Sequence, residues 1–157
     1  MQPCKVPFIV VTVALTLVAC GGNTEQGREE AAAREFRQRL AQNRSDLIYK
    51  EASASLRQKM SEAEFRKLLY ASQALGIPTQ SERAHYARTA MPGESDLVVT
   101  FYNSRFTKGA CLESFYWRKE ADGLKLATYS CAPNMQVTCT GGSSCVTSPV
   151  TPPGFAG

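Results

Sequence analysis

Ser61-Glu-Ala-Glu-Phe-Arg-Lys-Leu-Leu-Tyr-Ala-Ser-Gln-Ala-Leu-Gly-Ile-Pro78 is the stretch on which the fold turns. Ser61 and Glu64 have the spacing of a capping box, in which hydroxyl and carboxylate satisfy backbone donors at a helix start. Phe65, Leu68, Leu69, Ser72 and Leu75 then mark one helical face. Gly76 ends the helix, and Pro78 prevents its resumption. Upstream, Ala33, Phe36 and Leu40 place a first helix over residues 28–43, and Ile48, Ala52 and Leu56 place a second within 46–60. Asp46 reads as the cap of that second helix. Arg34, Arg37 and Arg39, interleaved with Glu29, Glu30 and Glu35, read as a solvated, salt-bridged face of the first.

Downstream of Pro78 the period changes from helical to alternating. Residues 83–91 form a weak strand, Pro92-Gly93 a turn, and residues 96–106, dense in β-branched and aromatic side chains, a strong strand. Residues 111–119 and 124–131 are two more, joined by Ala121-Asp122-Gly123 as a three-residue hairpin loop. That register sets Trp117 opposite Ala127, Phe115 opposite Tyr129 and Glu113 opposite Cys131. The expected architecture is α+β: three N-terminal helices packed on a curved antiparallel sheet of about four strands. Residues 132–157, rich in Pro, Gly, Ser and Thr, are expected to be an exposed, irregular tail.

The N-terminus carries an address. Lys5 precedes an uncharged run, residues 6–19, too short to remain as a membrane-spanning helix and suited to a secretory signal. Leu17-Val-Ala-Cys20 resembles the bacterial lipobox, which implies cleavage before Cys20 and lipidation of its thiol. Two or three acyl chains would anchor the chain stably. Residues 20–27 then read as a flexible tether and residues 28–131 as the folded domain. Gly21, where an aspartate would favour retention in the inner membrane, points to the outer membrane, facing the periplasm.

Of the six cysteines, Cys4 leaves with the signal and Cys20 is lipidated. Cys111, Cys131, Cys139 and Cys145 remain, an even number that in an exported domain suggests two disulfides. Cys111 and Cys131 would be a diagonal cross-strand pair at ~7–8 Å between Cα atoms, slightly beyond the usual reach. That pairing, with Cys139–Cys145 as the second bridge, is preferred among three connectivities. Zinc is the rival use of these cysteines, but they contain no C-x-x-C pair, and the one histidine, His85, is far away in sequence.

The helix–strand order, Asp46-Leu-Ile-Tyr49, the Ser61–Gly76 helix, Val98-Val-Thr-Phe-Tyr102, Cys111-Leu-Glu-Ser-Phe115 and Asp122-Gly123 resemble the nuclear transport factor 2-like superfamily. The likeness is to an exported bacterial branch without an assigned activity. It implies a cone-shaped domain with a pocket at its open end and dimerisation through the outer face of the sheet. Relatives use the pocket for isomerases, dehydratases or small-ligand binding, so fold alone licenses no chemistry. Glu113 and His85 are the candidate general bases, with Phe115, Trp117 and Tyr129 as an aromatic wall. No nucleophile, phosphate-loop, metal or cofactor motif stands out. The charge of +4, about +3 without Lys5, is too mild and dispersed for nucleic acid. The expected role is a non-catalytic, membrane-anchored module that binds an envelope protein or itself. The alternatives are a ligand-binding or isomerase-like pocket and an inhibitor of lysozyme-type enzymes.

Overall fold

The computed structural model describes residues 24–91, 94–140 and 144–150. Cys20, the segment read as a signal, the Pro92-Gly93 turn and the last seven residues lie outside the described residues. Among the described residues, four helices precede the strands: α1 (Glu25–Ala41), α2 (Ser45–Glu51), α3 (Ala54–Lys59) and α4 (Glu62–Ala74). The strands β1 (Pro78–Met91), β2 (Glu94–Phe106), β3 (Gly109–Glu120) and β4 (Gly123–Pro133) form one antiparallel sheet in the order β1-β2-β3-β4. β5 (Met135–Thr140) and β6 (Ser144–Pro149) pair as a separate two-stranded sheet.

α1 starts earlier than its apolar period suggests. The Thr24 hydroxyl accepts from the Gly27 N–H at 3.0 Å, and Glu25 occupies the positive end of the helix. Its buried stripe is Glu29, Ala33, Phe36 and Leu40.

The single second helix expected within residues 46–60 is two. Ala52 is extended (ψ 164°), the Ser53 N–H donates to the Leu126 carbonyl of β4 at 2.9 Å, and the Ser53 hydroxyl caps α3 by accepting from Leu56 N–H. A buried backbone donor taken by the sheet is unavailable to a helix, so the helix breaks there while Ile48, Ala52 and Leu56 all stay buried. Asp46 is not the cap: Arg44 holds that position, and Asp46 sits in the first turn, exposed and 3.2 Å from Arg44 Nε.

α4 has both arms of the capping box, and Ser61's hydroxyl and backbone N–H hold the Glu64 carboxyl below its ordinary range. Gly76 follows at φ +87°, where a Cβ would lie 2.1 Å from Thr107 Oγ1. The chain there is latched to the β2–β3 turn by Ile77 N–H to Thr107 Oγ1 and Thr107 N–H to the Ile77 carbonyl.

The β3–β4 loop is one residue shorter than expected. Glu120 pairs with Gly123 (φ +130°), which brings Trp117 opposite Leu126 instead of Ala127. The register then shifts between Tyr116 and Trp117, and Phe115–Tyr129 and Glu113–Cys131 pair as expected. The bulge has a reason in the pattern of apolar side chains. Leu124 and Leu126 face the helices on even positions, Tyr129 and Cys131 on odd ones, and one extra residue must be absorbed between them.

The core fills the space between helices and sheet, with Phe65, Leu69, Val98, Phe115 and Tyr129 essentially excluded from solvent. The segment expected to be an irregular tail is in part the β5–β6 hairpin. It lies against the opposite face of the sheet, where the Asn103 side chain accepts from Val137 N–H and donates to its carbonyl, both at 2.8 Å. Both preferred disulfides are present, Cys111–Cys131 with Cα atoms 5.8 Å apart and Cys139–Cys145 with 4.1 Å. The first pair is closer than a regular diagonal.

Candidate functional site

Among the described residues, two carboxylates, those of Glu29 and Glu113, lie at zero exposure between α1 and the sheet. Glu113 points from β3 into the core. Its Oε2 accepts from Arg37 Nε at 2.7 Å and from the Ser104 hydroxyl, and its Oε1 accepts from the Tyr129 hydroxyl at 3.0 Å. Tyr129 in turn meets the Ser72 hydroxyl of α4 at 2.8 Å. Arg37 is not on a solvated face. Its guanidinium lies 4.2 Å over the Tyr102 ring and 5.3 Å from that of Phe115, an arrangement that desolvates the cation and favours it electrostatically.

Glu29, expected among solvated charges, is the second buried acid. It accepts from Thr100 Oγ1 at 2.7 Å, from Tyr102 OH at 3.1–3.2 Å and from Trp117 Nε1 at 3.3 Å, with Arg83 Nη1 at 3.5 Å. Buried charges persist only when paired and hydrogen-bonded, and both acids meet that condition. A signal for Glu29 was in the sequence: it stands four residues before Ala33, in line with the apolar stripe of α1. Ser72 already stood on the inward face of its helix, whereas Arg37, Thr100, Tyr102 and Ser104 carry no local mark, because their partners are 9 to 76 residues away.

The structure brings Glu113, Phe115, Trp117 and Tyr129 together. Phe115 stacks on Trp117 (5.3 Å, 5° between planes), and Phe36 meets Phe115 edge-on at 5.1 Å. His85 belongs elsewhere. It pairs with Phe101 across the outer face of the sheet, and its Nδ1 is 3.6 Å from Cys145 Sγ. The two candidate bases are thus on opposite faces of one sheet.

Burial pushes the Tyr102 and Tyr129 phenols up, with the charges of Glu29 and Glu113 next in size. Both groups hold their protons more tightly folded than unfolded, so the stability they contribute is complete below about pH 10 and is lost as pH rises beyond it. Each phenol should cost about 1.4 kcal/mol per pH unit above that point. Urea midpoints taken from pH 9 to pH 11 should fall accordingly, and Tyr102→Phe should remove about half of the slope. An unchanged slope in that variant would contradict the assignment.

A cleft of about 360 Å³ opens between α1 and the start of β1, lined by Glu30, Arg34, Arg37, Ile77, Gln80 and Tyr102 among others. A second, of about 430 Å³, lies beside the β3–β4 turn between Arg28, Lys119 and Asp122. Neither is lined by Glu113 or His85. The arrangement can hold α1 on the sheet and exclude water from two ion sites. It presents no carboxylate oxygen to either cleft from the core pair. No protein-family model matches the chain, and no curated protein and no solved structure matches it significantly.

Proposed function

We propose that the chain is a lipid-anchored protein of the bacterial envelope, held through Cys20 at the periplasmic face of the outer membrane, with a nuclear transport factor 2-like domain that binds a protein partner or itself. The lipobox-like Leu17-Val-Ala-Cys20 supports the anchoring, and helices followed by a four-stranded meander support the family reading. The observation that favours binding over chemistry is the state of Glu113. Its oxygens accept from Arg37, Ser104 and Tyr129 of the same chain and it has zero exposure, so the residue best suited to be a base is enclosed in the core. The isomerase-like alternative has less behind it, since its second candidate, His85, is on the far face.

The test is metabolic labelling with a clickable fatty acid, followed by fractionation and cross-linking in the native envelope. The full chain should take up label, sediment with membranes and cross-link to a specific envelope protein or to a second copy. Cys20→Ser should abolish labelling and release the chain. A Cys20→Ser chain that still labels, or a parent chain that never does, would overturn the anchoring. A labelled chain with no cross-linked protein would overturn the binding role alone.

A further inference from the structure

The outer face of the sheet carries a cluster that the proposed function does not use. The β5–β6 hairpin sets Cys139 directly opposite Cys145 and lays Cys145 against β1, where His85 meets it. One ligand atom from each of the three residues lies within 4.8 Å of the others. Cys145 is exposed, Cys139 and His85 are half-buried, and the His85 ring is flanked by Phe101 at 5.9 Å. Distance in sequence had counted against a zinc site, and the fold removes that objection.

We propose that His85, Cys139 and Cys145 form a zinc site that opens when the Cys139–Cys145 disulfide is reduced. The geometry supports this. Zinc holds thiolate sulfur at about 2.3 Å and imidazole nitrogen at about 2.0–2.1 Å in a tetrahedron, which requires about 3.6 Å between nitrogen and sulfur and about 3.8 Å between sulfurs. His85 Nδ1 already stands 3.6 Å from Cys145 Sγ. The cysteine Cα atoms, 4.1 Å apart on facing strands, keep both side chains on one side of the hairpin. Once the S–S bond is gone, side-chain rotation alone can bring the sulfurs to that spacing. The exposure of Cys145 leaves room for water as the fourth ligand.

The chemistry balances with a dithiol donor. The S–S bond accepts two electrons and two protons, the donor leaves as a disulfide, and zinc displaces the two thiol protons as it binds. In the oxidised form the two sulfurs are bonded to each other and no thiolate is available. The site is therefore gated by the redox state of the Cys139–Cys145 disulfide, whose Cys145 is exposed, whereas in Cys111–Cys131 one cysteine has zero exposure and the other is half-buried.

The full chain, reduced anaerobically with a phosphine and freed of reductant, should retain one Zn(II) per chain after gel filtration, and the untreated chain none. Co(II) in place of zinc should give thiolate-to-metal charge-transfer bands and the intense visible bands of a tetrahedral ion. His85→Ala should weaken binding about tenfold or more, in the range seen when a zinc ligand's support is lost. The chain with both Cys139→Ser and Cys145→Ser keeps the other disulfide and should bind none. The proposal is overturned by zinc bound equally well to the untreated chain or the double-serine chain, by unaltered affinity in His85→Ala, or by no binding to the reduced chain.

Discussion

A Glu113→Ala chain is expected to lose about 3–5 kcal/mol of folding stability, the cost of leaving a buried partner charge uncompensated. Three groups lose an acceptor together, Arg37, Ser104 and Tyr129, although Ser104 keeps the Ser81 hydroxyl and Tyr129 that of Ser72. Arg37 is the costly one, since its side chain is only 11% exposed and its Nη2 already has no hydrogen-bond partner among the described residues. Urea denaturation read as the shift in midpoint at constant slope measures the loss. A double change, Arg37→Met with Glu113→Leu, should recover most of it, because replacing a buried ion pair with apolar groups of similar volume is often neutral or stabilising. The pair of variants separates the structural role from a catalytic one. A Glu113→Ala chain as stable as its parent would mean that the carboxylate is not held for the fold, and a base poised for substrate would return to consideration.

Phe115→Ala should cost a similar amount, about 3–5 kcal/mol, as large-to-small changes at fully enclosed aromatics do. The ring has zero exposure and is the meeting point of the core: Phe36 edge-on, Trp117 stacked, Tyr129 tilted at 5.0 Å, Tyr102 edge-on at 5.9 Å. Its loss leaves a void with helix α1 on one side and the sheet on the other, and neither can collapse into it without moving a buried charge. Trp117 is the chain's single tryptophan, so its fluorescence reports the change directly. Emission should move to longer wavelength as Trp117 loses its stacking partner, alongside the fall in the urea midpoint. If these rings were a ligand platform, the variant would instead keep its stability and its emission.

What could be read from residues alone divides along a physical line. α4, β2 and the Phe115–Tyr129 and Glu113–Cys131 pairings came from signals contained within a few residues: a capping box, an alternating β-branched run, a hairpin loop. The break at Ala52–Ser53 did not, because its cause is the Leu126 carbonyl, 73 residues on. Nor did the β5–β6 hairpin, whose Ser, Thr and Gly content suggests a loop. Asn103, 34 residues before Val137, supplies the hydrogen bonds that fix it. The one-residue error in the β3–β4 loop is of another kind. Apolar side chains alternate legibly on both halves of β4, but the change from even to odd positions at Ala127 marks a bulge only when both halves face the helices. Among the candidate site residues, proximity in the strand pattern gathered the four on β3 and β4, whereas His85 could be placed only by knowing which face β1 turns to it.

The early start of α1 has a consequence for how the domain would sit at a membrane. With Thr24 capping the helix, only residues 21–23 separate it from Cys20, in place of the eight-residue tether that composition suggested. Four residue steps reach at most about 14 Å. On the proposed lipidation, the domain would ride close to the lipid headgroups, with the start of α1 and the neighbouring β3–β4 turn lowermost. That underside mixes Arg28 and Lys119 with Glu25, Glu120 and Asp122, so it offers anionic lipid no basic patch. A standoff this short would keep the β3–β4 turn within about 14 Å of the headgroups and leave the β2–β3 turn, at the other end of β3, towards the aqueous space.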